Sequence, residues 1–188
     1  MKTVNFVLSG LGGQGILFMT KVLAQAALDK GFKLMGAETH GMAQRGGSVV
    51  SHLRLGNMES SLVPAGTAQF LLALEENEAY RNLPFLRKGG RVYANTPGPF
   101  PREEARPYLE RIHAVCRAVP AGQLARELGA PLSSNLALLG FFSAFEKNPL
   151  SHEDIRTTIE NVSPERFREV NLRVFDAGYQ GGSSKEQE

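Results

Sequence analysis

A glycine loop set between an apolar run and an amphipathic helix constrains this chain most. Val4–Ser9 (VNFVLS) is a short apolar run ending at glycine, the pattern of a buried strand. Gly10-Leu-Gly12-Gly13-Gln14-Gly15 follows, and Gly12–Lys30 then carries Ile16, Met19, Leu23, Ala27 and Leu28 at spacings of three and four, one face of a helix that Gly31 ends. Glycines let the backbone turn tightly and approach a ligand. A helix amino terminus offers free N–H groups and partial positive charge to a phosphate or carboxylate.

The same alternation continues downstream. Phe32–Glu38, Ser48–Leu55, Gln69–Leu74, Arg91–Asn95 and Ile112–Ala118 read as strands. Ala121–Leu128, Asn135–Lys147, Ser151–Asn161 and Pro164–Phe175 read as helices, so the last third is helical. Ser151 and Asp154 are spaced as a capping box, and Ser163 precedes Pro164 as an N-cap before a first-turn proline. The expected fold is α/β: a doubly wound, mainly parallel sheet with helices on both faces, a Rossmann-like three-layer arrangement. Residues 1–178 are expected to form one domain of ordinary size, with 179–188 (YQGGSSKEQE) a disordered tail, small and polar.

Ligands on such sheets bind beyond the carboxyl ends of the strands, which directs attention to the loops after Ser9 and Glu38. The first fits G-x-G-x-x-G in its required strand–helix context. Glu38 ends the next strand, 23 residues past Gly15 (38 − 15), near the ~20 expected of a ribose-binding acid. Two readings stand together: an NAD-type site, or glycines that serve strand–helix packing. The second loop, Glu38 to Ser48, gathers Glu38, His40, Gln44 and Arg45 among Gly41, Gly46 and Gly47, and is longer than the usual connection. Arg45 suits a two-pronged grip on a carboxylate or phosphate. The bland alternative pairs Glu38 with Arg45, and makes His52 a buried, hydrogen-bonded residue.

Several chemistries are disfavoured. A single cysteine, Cys116, allows no disulfide and no iron–sulfur cluster built by this chain alone, and its apolar surroundings suggest an inert thiol. His40, His52, His113 and His152 lack ligand spacing, so no metal site is expected. There is no serine-nucleophile elbow and no P-loop ending. The acidic run Glu75, Glu76, Glu78 reads as the first turn of a helix, and Arg87, Lys88 and Arg91 around Gly89-Gly90 read as a solvated loop that could dock an acidic partner. A net charge of +2 does not advertise a nucleic-acid partner. No run approaches a membrane span, and the N-terminal run is shorter than a signal-peptide core, so a cytoplasmic protein is expected.

Two segments together carry a family resemblance. GLGGQGI at Gly10–Ile16, followed by ETHGMAQRGGSVVSHLR at Glu38–Arg54, resembles the gamma-type subunit of 2-oxoacid:ferredoxin oxidoreductases. HGMAQRGGSV with SHLR most resembles the small (beta) subunit of the indolepyruvate branch. Asn135–Gly140 (NLALLG) resembles the family's asparagine-led helix, and Asn171–Gly178 (NLRVFDAG) its C-terminal segment, with Val174 where alanine is common. Gly56–Ala130 is only generically similar.

The resemblance implies a share in the oxidative decarboxylation of a 2-oxoacid to acyl-CoA, CO2 and reduced ferredoxin. It implies thiamine diphosphate and iron–sulfur clusters on a larger partner subunit, and ferredoxin met only indirectly. The chain would be an obligate subunit, inactive alone, with its catalytic residues unknown and no obvious acid–base pair. Its candidate binding residues are Gly10, Gly12, Gly13, Gln14, Gly15, Glu38, His40, Gln44, Arg45, Gly46 and Gly47. The backbone around Gly12–Gly15 would meet an anion, either a coenzyme A phosphate or a partner carboxylate. Gln14 would add an amide contact, Arg45 a charged clamp, and Glu38 would orient the clamp or the loop. An NAD(P)-binding oxidoreductase and a non-catalytic docking subunit remain the alternatives.

Overall fold

The computed structural model describes residues 3–41 and 46–184. Its strands are β1 (Val4–Leu11), β2 (Leu34–His40), β3 (Ser48–Leu55), β4 (Ala68–Ala73), β5 (Leu86–Asn95) and β6 (Val115–Val119). Its helices are α1 (Ile16–Asp29), α2 (Glu76–Asn82), α3 (Arg106–Arg111), α4 (Ala121–Glu127), α5 (Ser134–Phe145), α6 (His152–Val162) and α7 (Glu165–Ser183).

The strands form one sheet in the order β2-β3-β1-β4-β5-β6. β1, β4, β5 and β6 pair parallel, while β3 runs antiparallel to both β1 and β2. All strands but β3 therefore point one way, and the mainly parallel sheet expected from the sequence is present. The exception has a simple cause. A parallel crossover needs about a dozen residues or more, and the chain from His40 to Ser48 is too short for one. β2 and β3 must form a hairpin, which places β3 between β2 and β1.

Side-chain alternation divides the strands between two cores. Phe6, Leu8, Phe70, Leu72 and Tyr93 face the larger one, built with α1, α4, α5, α6 and α7. Val7, Leu71, Ala73 and Val92 face the smaller one, with Ala79 of α2 and Leu109 of α3. Helices thus cover both faces. In the larger core, Phe6, Phe70, Phe142 and Tyr93 form a chain of ring contacts with centroids 4.9–5.3 Å apart.

Some element ends differ from the expectation. The strand expected to start at Ile112 starts at Val115, because Ile112–Ala114 complete the turn that ends α3. The capping box forms: Ser151 N–H donates to Asp154 Oδ2 at 2.7 Å, and Asp154 N–H to Ser151 Oγ at 3.2 Å. Ser163 does not cap α7. Pro164 takes that position, and Ser163 Oγ accepts instead from Asn171 Nδ2 at 3.0 Å. The expected tail from 179 is helical as far as Ser183. The reason is close packing. A Cβ at Gly178 would stand 2.0 Å from Ala137 O, and one at Gly140 1.9 Å from Phe175 O, so α5 and α7 touch backbone to backbone, and Gly182 continues the contact. Over Tyr179–Ser183 the small, polar composition belongs to a packed helix, and residues 185–188 of the expected tail lie outside the described residues.

Candidate functional site

The two loops singled out in the sequence meet at the carboxyl end of β1. Leu11 pairs with Ser48, and Gly12 N–H donates to Gly47 O at 2.8 Å. Gly41 N–H donates to Ser48 O at 2.7 Å, closing the neck of the β2–β3 loop. Gly10, Gly12, Gly13, Gln14 and Gly15 are thereby joined to Gly46 and Gly47. Gly15 takes the left-handed conformation (φ 82°), and a Cβ there would lie 2.5 Å from Asn135 Nδ2, so only glycine fits. Asn135, at the start of α5, donates to Gly15 O at 3.1 Å and accepts from Leu136 N–H. The asparagine of NLALLG therefore anchors the glycine loop from across the chain.

Among the described residues no side chain caps α1, so its first-turn N–H groups keep their donor capacity and the positive end of the helix dipole. Beside them is an open groove of about 470 Å³, bounded by Leu11, Gly12, Gly13, Gly15, Leu17 and Val49. Its walls are apolar side chains and backbone, which suits binding rather than proton transfer.

Gln14 is engaged inside the chain. Its Oε1 accepts from Leu11 N–H at 2.8 Å, and its Nε2 donates to Glu75 Oε1. The acidic run following β4 does more than favour a helix start. Glu78 is buried: Ser48 Oγ donates to its Oε2 at 2.6 Å, and Arg81 pairs with its Oε1 at 2.8 Å. Glu76 pairs with Arg102 at 2.8 Å. The three carboxylates hold the glycine loop, the start of β3 and the segment before α3. Sequence reading missed this, and the one available signal was Arg81 three residues after Glu78.

Glu38 is set apart from the glycine loop. It lies exposed on edge strand β2, paired with Ser51 of β3. Two strand spacings, about 10 Å, separate β2 from β1. In dinucleotide-binding sheets the ribose acid sits on the strand next to the first. The hairpin removes Glu38 from that place. His40 ends β2 opposite Val49. Gln44 and Arg45 lie outside the described residues.

Other candidates have structural work. His52 is buried, its Nδ1 accepts from Val63 N–H at 3.2 Å, and its ring stands edge-on to Phe85, centroids 5.0 Å apart. Burial lowers its pKa. Arg54 donates to Asn5 Oδ1 at 3.0 Å and Ser60 O at 2.8 Å, pinning the loop after β3. Burial pushes the Cys116 thiol up to about 11, far from a reactive thiolate at neutral pH.

A model of the pyruvate ferredoxin/flavodoxin oxidoreductase family matches residues 5–181. Indolepyruvate oxidoreductase subunit IorB of Pyrococcus horikoshii is 36% identical over 95% of this chain and 95% of its own. A solved pyruvate oxidoreductase subunit PORC from Thermotoga maritima has the same fold: TM-score 0.75 and 20% identity, covering 96% of this chain and 97% of that one. In a 2-oxoglutarate:ferredoxin oxidoreductase from Magnetococcus marinus, solved with 2-oxoglutarate, coenzyme A and succinyl-CoA bound, the fold is one part of a longer chain. There it covers 98% of this chain and 32% of that one, with TM-score 0.77 and 19% identity.

Proposed function

Because this chain belongs to the pyruvate ferredoxin/flavodoxin oxidoreductase family, we propose that it is the small subunit of an indolepyruvate-type 2-oxoacid:ferredoxin oxidoreductase. The carrying observation is the end-to-end match to IorB, 95% of both chains. In the reaction, the bond between the carboxylate and the oxo carbon breaks and CO2 leaves. The acyl group joins the thiol of coenzyme A, and the released electron pair passes to ferredoxin.

This chain's residues do not fit the electron carriers of that reaction. Its single cysteine cannot supply the thiolates of a cluster. Thiamine diphosphate and iron–sulfur clusters, held by a larger partner subunit, would supply the electron sink and the path to ferredoxin.

The part left to this chain is anion recognition. The uncapped start of α1 and the adjoining groove suit a phosphate of coenzyme A, with the groove's apolar wall against the rest of the molecule. Arg45, in the segment between β2 and β3, would be the charged clamp on that phosphate, with Gln44 and His40 as further candidate contacts. Gln14 would keep the loop in shape through Leu11 and Glu75, and its amide has a second N–H left to add a contact to the ligand. Glu38 would orient the β2–β3 loop from the edge strand. Among the described residues no helix is long and apolar enough to cross a membrane.

Co-purification of the tagged protein from its native cell tests the reading. A larger partner carrying iron, sulfide and thiamine diphosphate, with CoA-dependent ferredoxin reduction on indolepyruvate, is the expected result. A lone chain retaining NAD(P) or a flavin would overturn it. Coenzyme A binding by the isolated chain separates a contact role from docking alone.

A further inference from the structure

At the amino ends of the strands, opposite the glycine loop, β4 and β5 fall out of register. Ala68 faces Leu86 and Phe70 faces Arg91, so a step of two residues on β4 matches a step of five on β5. The surplus forms a bulge from Arg-Lys-Gly-Gly, and both glycines are required. Gly89 is left-handed (φ 68°), and a Cβ at Gly90 would stand 2.7 Å from the Leu86 side chain and 2.9 Å from Arg87 O. Bulges re-aim side chains. This one brings Arg87 and Arg91 to the wall of a single cavity of about 500 Å³, with Lys30 from the end of α1 and Asn148 from the loop after α5.

The charges around this cavity do not balance. Lys30 pairs with Asp154 at 2.6 Å, and Arg91 Nε with Glu146 at 3.2 Å. The Arg87 side chain makes no hydrogen bond or ion pair among the described residues, and its Nε is shielded from water without an acceptor. A shielded guanidinium N–H without an acceptor is unfavourable, and a planar fork of donors matches a phosphate or carboxylate. The solvated loop read from the sequence is instead part of β5 and half encloses a cationic pocket.

We propose that this cavity is an oxyanion site, for a phosphate or a carboxylate group. Arg87 supplies the unmatched charge and Arg91 a second fork. The site is separate from the glycine loop, and only its partner-subunit occupant rests on the function proposed above. Two sources share this chemistry: a free phosphorylated metabolite, or an acidic side chain of the partner subunit.

Thermal unfolding of the full-length chain in inorganic phosphate, against potassium chloride of equal ionic strength, tests the site. Phosphate in tenfold or greater excess over its Kd should raise the midpoint by a few degrees, on the order of 3 °C or more. Arg87→Gln should abolish that rise without lowering the midpoint in chloride, because Arg87 holds nothing in place. Lys88→Gln, at an exposed neighbour, should keep the rise. Phosphate that displaces the partner subunit identifies the partner's acidic group as the occupant; phosphate that leaves the complex intact identifies a free ligand. No rise, an equal rise in Arg87→Gln, or a lower midpoint of that variant in chloride would each overturn the proposal.

Discussion

Gln14 and Glu75 meet across the crevice between β1 and β4, with Gln14 Nε2 donating to the Glu75 carboxylate. α1 leaves β1 for one face of the sheet and α2 leaves β4 for the other, so this is where the winding reverses. Open α/β sheets bind ligands at that point. Here the chain spans it with its own side chains, and the open groove lies on the β3 side of the glycine loop, against Val49. Gln14→Ala should lower unfolding free energy by about 1–2 kcal/mol, since Leu11 N–H also loses its acceptor. A cycle with Glu75→Ala should give a coupling of about 0.5–1.5 kcal/mol in urea denaturation, and strict additivity would refute the contact.

Glu78 is expected to matter more to stability than either neighbouring acid. Glu78→Ala leaves Ser48 without its acceptor beneath β3 and should cost about 2–3 kcal/mol. Amide exchange at Gly12 and Gly41 should accelerate in parallel, because their acceptors lie at Gly47 and Ser48, beside the loosened strand. Unchanged exchange would detach Glu78 from the loop.

The α5–α7 contact predicts opposite outcomes for glycines inside it and outside it. Gly178→Ala and Gly140→Ala force a methyl group into backbone and should cost at least about 3 kcal/mol. Gly181→Ala meets nothing within 4 Å and should stabilise by about 0.5–1 kcal/mol through helix propensity. Guanidinium melts of the three variants decide it.

Acid should weaken the fold through two histidines. Burial holds both His52 and His152 below the usual 6.5; at His152 Arg156 adds to the effect, while Asp176 and Glu153 oppose it. Below 6.5 the unfolded chain binds more protons than the folded one, so stability falls as pH falls towards the folded values. Glu146 has the reverse sign, since burial raises its pKa above the ordinary 4.5 and stability declines as pH rises through that window. Denaturation from pH 8 to pH 5 should show a plateau and then an acid loss. His52→Gln with His152→Gln should flatten that loss, and Glu146→Gln should steepen it.

Arg45→Ala, measured in the assembled complex, should raise the KM for coenzyme A by about tenfold or more, the size of one charge-assisted contact. Unchanged kinetics with unchanged assembly would remove Arg45 from the site.

Much of the fold was legible because it is local. Ser48–Leu55 is a strand at the residues its apolar pattern marks, and Ser151 with Asp154 caps α6 as their spacing requires. The glycine loop announces itself by composition and context, and its pairing with the HGMAQRGGSV segment points to the family. Strand order is a different kind of fact. Nothing in the Glu38 segment shows that β3 will lie between it and β1, because pairing joins residues far apart in sequence. Tertiary contact likewise decided that Glu78 is a buried clamp rather than a solvated helix start, and that Gly178 and Gly182 extend a helix. It also bulged β5 so that Arg87 and Arg91 share a cavity. The sequence determined most of the elements and the turn geometry of the glycine loop, since periodicity and turn chemistry act over a few residues. Only the folded chain decided which charges are buried, paired or left over, since desolvation depends on every neighbour at once.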